Sequence, residues 1–163
     1  MTAPFEFINP STLGAPPGPI SRAVRVGDML MVSGTSAISG ETGDPLSRPL
    51  SKDFATQARL TFQNLEKAVI AGGATKRDIV KTIVMLRNRE DWATFNRVRT
   101  EFFGDHRPAS TAFLCGLFRD DMLVEIEALA IIPSRRTGAT SARRKGAGTR
   151  SRPAARSRKS SKR

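Results

Sequence analysis

The chain has 163 residues, a formal net charge of +12 and a single cysteine, Cys115. That length suits one domain. One cysteine excludes an intrachain disulfide and suits a reducing compartment, and no apolar run reaches the roughly 20 residues a membrane-spanning helix needs. The charge is concentrated at one end. From Arg135 to Arg163 there are 12 Lys or Arg and no Asp or Glu, so residues 1–134 hold 15 of each and balance. The chain therefore divides into a body, 1–134, and a basic tail, 135–163. The opening MTAPFEFINP lacks a basic region followed by an apolar run, so no signal peptide is expected. A soluble cytoplasmic protein is the expectation.

In chain order, Phe5-Glu6-Phe7-Ile8 stands alone in a Pro-, Gly- and Ser-rich opening and predicts an edge strand or ordered arm before the turn at Pro16-Pro17-Gly18-Pro19. Arg22–Val26 and Asp28–Ser33 flank a break at Gly27-Asp28 that fits a hairpin. The second arm contains Met29-Leu30-Met31-Val32, wholly apolar, and is expected to be central. Gly34 to Pro49 reads as a loop. Phe54, Ala58, Phe62, Leu65 and Val69 recur at three and four residues and predict a helix, started by Ser51 or Asp53 and stopped by Gly72-Gly73. Lys76–Arg87, rich in β-branched residues, predicts a strand. A second helix is expected from about Asp91 to Phe103 on the stripe Trp92, Phe95, Val98 and Phe102, closed by Gly104.

The last apolar stretch, 107–132, reads as two strands joined by a charged turn at Arg119-Asp120-Asp121. Ser110–Phe118 is nearly all apolar, as expected of a strand covered on both sides, and Cys115 within it is expected to be buried and inert. The next strand alternates. Val124, Ile126, Ala128, Ala130 and Ile132 take one face, and Glu125, Glu127, Leu129 and Ile131 the other. Glutamate is rarely buried without a partner. The second face thus outlines an apolar wall with carboxylates at its mouth, as in a small-molecule site; the alternative is an exposed rim of solubilising charges.

Two amphipathic helices can cover only one face of a sheet built from these strands. The other face needs cover from outside, and self-association supplies it most simply. The tail has no large aliphatic or aromatic residue to offset the entropy of ordering, so a disordered segment is expected. Such tails bind nucleic acid through phosphate neutralisation, without sequence preference; a merely solubilising tail is the alternative.

Taken in order, several short motifs resemble one family, the Rid proteins (also called the YjgF/YER057c/UK114 family). They are Gly18-Pro19-Ile20-Ser21-Arg22-Ala23, Val26-Gly27-Asp28, Val32-Ser33-Gly34 and Glu41-Thr42-Gly43, then Gln57-Ala58-Arg59, Asn64-Leu65 and Asp78-Ile79-Val80-Lys81-Thr82. Phe95-Asn96, Phe102-Phe103, Pro108-Ala109 and Val124-Glu125-Ile126-Glu127-Ala128 complete the set. The resemblance covers about residues 15–133. It implies a chorismate-mutase-like α+β fold: a mixed six-stranded sheet, two helices on one face, and a homotrimer whose sheets form an inner barrel with clefts between subunits. For the deaminase branch it also implies hydrolysis of enamines and imines, such as 2-aminoacrylate, to ketoacids and ammonia, with no metal or organic cofactor. Glu125 matches the glutamate associated with the attacking water, and Ser33 and Asn96 match polar positions of the cleft.

Three positions depart from that pattern. Ser110 stands where the deaminase branch carries an arginine for the substrate carboxylate, Ile20 where a tyrosine follows Gly-Pro, and Ala112 where a cysteine lines the wall. A hydroxyl does not replace a desolvated bidentate guanidinium, whose loss costs about 2–5 kcal/mol. An altered substrate range is therefore expected, unless Arg107, Arg119 or Arg22 reaches in. His106 reads as a structural or surface residue near the turn. The alternative function is a non-catalytic trimer that binds a small ligand and holds nucleic acid through 135–163. The body offers no paired His or Lys for phosphodiester cleavage, which favours binding over cutting.

Overall fold

The computed structural model describes residues 5–38, 47 and 49–133. The basic tail and the Glu41-Thr42-Gly43 motif lie outside the described residues. Within them, β1 (Glu6–Ile8), β2 (Ala23–Val26), β3 (Met29–Thr35), β4 (Ile79–Leu86), β5 (Ala109–Leu114) and β6 (Val124–Ile131) form one sheet in the order β1-β2-β3-β6-β4-β5. All neighbours are antiparallel except β4 and β5, which are parallel. Helices α1 (Phe54–Ala71) and α2 (Trp92–Phe103) pack together on one face. This is the mixed α+β arrangement the motifs implied.

Local chemistry accounts for most boundaries. The β2–β3 hairpin turns at Gly27, whose φ of 59° suits glycine. The Asp53 carboxylate accepts from Thr56 N at 2.7 Å and caps α1, while Ser51 Oγ accepts from Asp53 N. Lys76–Asp78 forms a short 3-10 turn instead of the start of a strand, because Thr75 and Asp78 cap each other reciprocally. The core lies between α1, α2 and the near face of the sheet, where Leu30, Leu65, Ile79, Leu86, Phe95 and Ile126 are almost wholly buried.

The sheet's far face is apolar and open. Met29 and Met31 on β3 are 41% and 42% exposed, while Leu30 and Val32, which alternate with them, are buried. The wholly apolar arm is thus central, as expected, but only one of its faces is covered within this chain.

Three expectations are corrected. The 110–118 stretch is not covered on both sides and does not pair with the strand after it. β5 ends at Leu114, is exposed throughout, and lies at the sheet edge with β4 between it and β6. Parallel strands need a helical crossover; α2 makes it from β4 to β5, and β6 then returns to the gap between β3 and β4. Cys115, just beyond β5, is exposed, not buried. On α2, Phe103 is buried while Trp92 is 43% exposed, so the buried stripe is Phe95, Val98 and Phe103 and leaves out Trp92.

The charged turn at 119–121 is tied back to α1 by a buried glutamine. Gln57 Nε2 donates to the carbonyls of Ser51 (2.6 Å) and Asp121 (2.7 Å), and Gln57 Oε1 accepts from Leu123 N at 3.0 Å. Asn64 likewise holds the strand exit, donating to Ser36 O at 2.9 Å. No helix among the described residues is long and apolar enough to cross a membrane.

Candidate functional site

The six residues singled out in the sequence fall into two groups. The first contains Ile20, Ser33 and Glu125. Ser33 N donates to Arg22 O at 3.1 Å and Ser33 Oγ to Ser21 O at 2.7 Å, which draws the 20–22 segment along β3. Ile20, next to it, is about half exposed. An irregularity between Val32 and Thr35 shifts the β3–β6 register and brings Glu125 against the backbone of Gly34. A Cβ at Gly34 would stand 2.5 Å from Glu125 Oε1. On its other side Glu125 is in register with Met85 of β4. This apolar setting pushes the Glu125 carboxyl above the usual range, through burial first and the charge of Glu127 second. A carboxylate so placed is suited to accepting and returning a proton.

The second group contains Asn96, Ser110 and Ala112. Ser110 is in register with buried Thr82, whose hydroxyl donates to Ser110 Oγ at 3.0 Å, and Ala112 is in register with buried Val84. Both therefore sit on the helix side of the sheet, beside α2. Asn96, on α2, accepts from Arg99 Nη2 at 2.6 Å. Arg99 in turn lines, with Ser110, a pocket of about 360 Å³. Ala112 lines a neighbouring, more apolar depression with Leu86, Trp92 and Phe113.

Ser110 and Glu125 thus lie on opposite faces of one sheet, and the expectation that a closing β-pair presents both on one wall is corrected. Side chains alternate across a strand. Ser110 follows Thr82 onto the covered face; Glu125 follows Met85, between buried Val84 and Leu86, onto the open one.

Of the arginines considered from the sequence, Arg119 is engaged with Asp121 at 2.5 Å and Arg22 with the Leu13 carbonyl at 3.1 Å. Arg107 lines the Ser110 pocket, and so does Arg99, which the sequence reading passed over. The available signal was its spacing, three residues after Asn96 on one helix face. His106 is structural as expected, its Nε2 2.7 Å from the Ile79 carbonyl. Glu127 shares the open face with Lys81, Met31 and Leu129 around a shallow groove.

The family model for endoribonuclease L-PSP matches residues 12–132. A RutC family protein of Pyrococcus abyssi is 34% identical over 115 residues, covering 71% of this chain and 87% of the relative. A 2-iminobutanoate/2-iminopropanoate deaminase of Escherichia coli K12 is 33% identical over 117 residues, covering 70% and 88%. The crystal structure of E. coli TdcF with bound serine superposes with a TM-score of 0.69 at 29% identity, over 77% of this chain and 98% of that one.

Proposed function

Because the chain belongs to the Rid family, the family of the endoribonuclease L-PSP model, we propose that it is a cofactor-free hydrolase of imines or enamines whose cleft is assembled from two chains. The observation that carries this reading is the placement of Glu125 against Gly34 on the open face of the sheet, opposite the pocket of Ser110 and Arg99 on the other. One subunit offers the first half, its neighbour the second, in a trimer that buries the apolar far face of each sheet. The names of the E. coli deaminase and of similar relatives support the reaction type.

The chemistry asks little of the protein. The carbon of a protonated imine is already electrophilic. Glu125 accepts a proton as water oxygen bonds to that carbon, then returns it to nitrogen; the C–N bond breaks, its electron pair leaves with ammonia, and the remaining O–H gives its proton to Glu125, which passes it to ammonia, so that a neutral carbonyl and ammonium result. Ser33 and Asn96 line the cleft, Ile20 and Ala112 make it more apolar, and Ser110 offers a hydroxyl in place of a guanidinium. The substrate range differs accordingly from that of 2-imino acid deaminases.

The test is ammonia release from imines generated in situ, with and without a carboxylate. Wild type is expected to accelerate release and Glu125→Gln to abolish it with the oligomer intact. Equal rates for the two proteins, or a monomer in sedimentation velocity, would refute this mechanism.

A second role is carried by the 12 basic residues of 135–163: non-specific binding of DNA or RNA, with affinity falling steeply as salt rises. Deleting 135–163 is expected to remove that binding and its salt dependence while leaving imine hydrolysis unchanged.

A further inference from the structure

The pocket between α2 and β5 holds more positive charge than a lining of hydroxyls needs. Arg99 and Arg107 both border it, with Thr82, Thr100, His106 and Ser110, and none of its lining residues is acidic. Neither guanidinium forms an ion pair among the described residues; Asp105, whose charge Arg107 also feels, is taken up by Arg77 at 2.8 Å. Each arginine is nevertheless oriented. Arg99 Nη2 donates to Asn96 Oδ1, and the Arg99 guanidinium carbon lies 5.7 Å from the Trp92 ring and 5.6 Å from that of Phe95. Arg107 Nη1 donates to the carbonyls of Gly104 and His106. The remaining N–H groups of both are left for a ligand. Thr82 donates to Ser110 Oγ, which leaves the Ser110 proton free to be donated.

We propose that Arg99 and Arg107 make this pocket an oxyanion site for a dianionic group of the phosphate-monoester class, carried by the ligand of the cleft. The inference rests on reading this groove as half of an intersubunit cleft. Once a neighbouring chain covers it, water is excluded and an unpaired guanidinium becomes costly. A single carboxylate neutralises one arginine and strands the other; a dianion satisfies both, with the Ser110 hydroxyl adding a hydrogen bond. The anion grip has in effect moved from strand β5 to the helix and the loop after it.

Trp92 is the sole tryptophan of the chain, and its contact with Arg99 makes its emission a reporter of that guanidinium. Full-length protein is titrated with methyl phosphate and, at matched ionic strength, with acetate. Methyl phosphate is expected to bind saturably and at least roughly tenfold more tightly than acetate, and Arg99→Met and Arg107→Met each to weaken it at least roughly tenfold. Arg59→Met, which breaks the Arg59–Glu101 pair elsewhere on the surface, is expected to change nothing. Arg99→Lys, which keeps the charge and loses the fork, should fall between wild type and Met and guards against a misfolded Met variant. Equal affinity for the two anions, or methionine variants that bind as wild type does, overturns the proposal. Failure of the hydrolase reading registers separately, as ammonia release that Glu125→Gln does not change.

Discussion

Ser110 and Glu125 sit on opposite faces of the same sheet, one bonded to Thr82 beneath α2, the other pressed between Gly34 and Met85 on the uncovered side. No side-chain rotation brings them together within a chain. Two inactive variants damaged in different halves should therefore complement. Glu125→Gln and Asn96→Ala, mixed in equal amounts and allowed to exchange subunits, should recover up to roughly a quarter of wild-type turnover, since each half-site is intact in half the chains. Ammonia release measured before and after mixing checks this; no recovery despite exchange means the cleft lies within one subunit.

Glu125 should also limit stability. Burial and Glu127 hold its pKa above the ordinary value, so the folded state keeps the proton more tightly than the unfolded chain does. The fold is favoured while the group is protonated, and it loses stability as pH rises from the unfolded pKa to the higher folded one. Glu125→Gln removes that loss. Thermal melts should show the variant melting above wild type at about pH 7, with the gap closing at about pH 3.5.

At Gly34 the prediction is the reverse, activity lost with the fold kept. The Cβ of Gly34→Ala would meet Glu125 Oε1 at 2.5 Å and Cδ at 3.0 Å. Both belong to the far end of a flexible side chain, which can swing away. Stability should change by less than about 1 kcal/mol, while turnover falls at least roughly tenfold because the proton acceptor is displaced. Urea unfolding and steady-state rates on the same preparation separate the two effects.

Gln57 supports the site from behind. Gln57→Leu leaves the Ser51 and Asp121 carbonyls and the Leu123 N–H without their partner, so urea denaturation should show a loss of about 3 kcal/mol. A loss below about 0.5 kcal/mol would mean that water replaces the amide at this turn.

Much of the fold was legible because its signals are local. The α1 stripe, its Asp53 cap, the Gly27 hairpin and the alternation along β6 follow from side-chain periodicity and backbone preference over a few residues. The errors have one origin. The stretch 110–118 carries the composition of a doubly covered strand, yet in a single chain it is an exposed edge, and Cys115, Phe113 and Phe118 are exposed with it. Composition does not say which neighbours, if any, cover a strand.

The amino-acid sequence by itself determined most of the elements, the uncovered second face and the unequal distribution of charge. Tertiary structure alone decided that β4 separates β5 from β6, that Ser110 and Glu125 take opposite faces of the sheet, and that Arg99 joins Ser110 in one pocket. The physical reason is that periodicity fixes the face a side chain takes relative to its own neighbours. Which strand lies alongside, and hence which distant residues share a face, depends on long-range pairing that leaves no local trace.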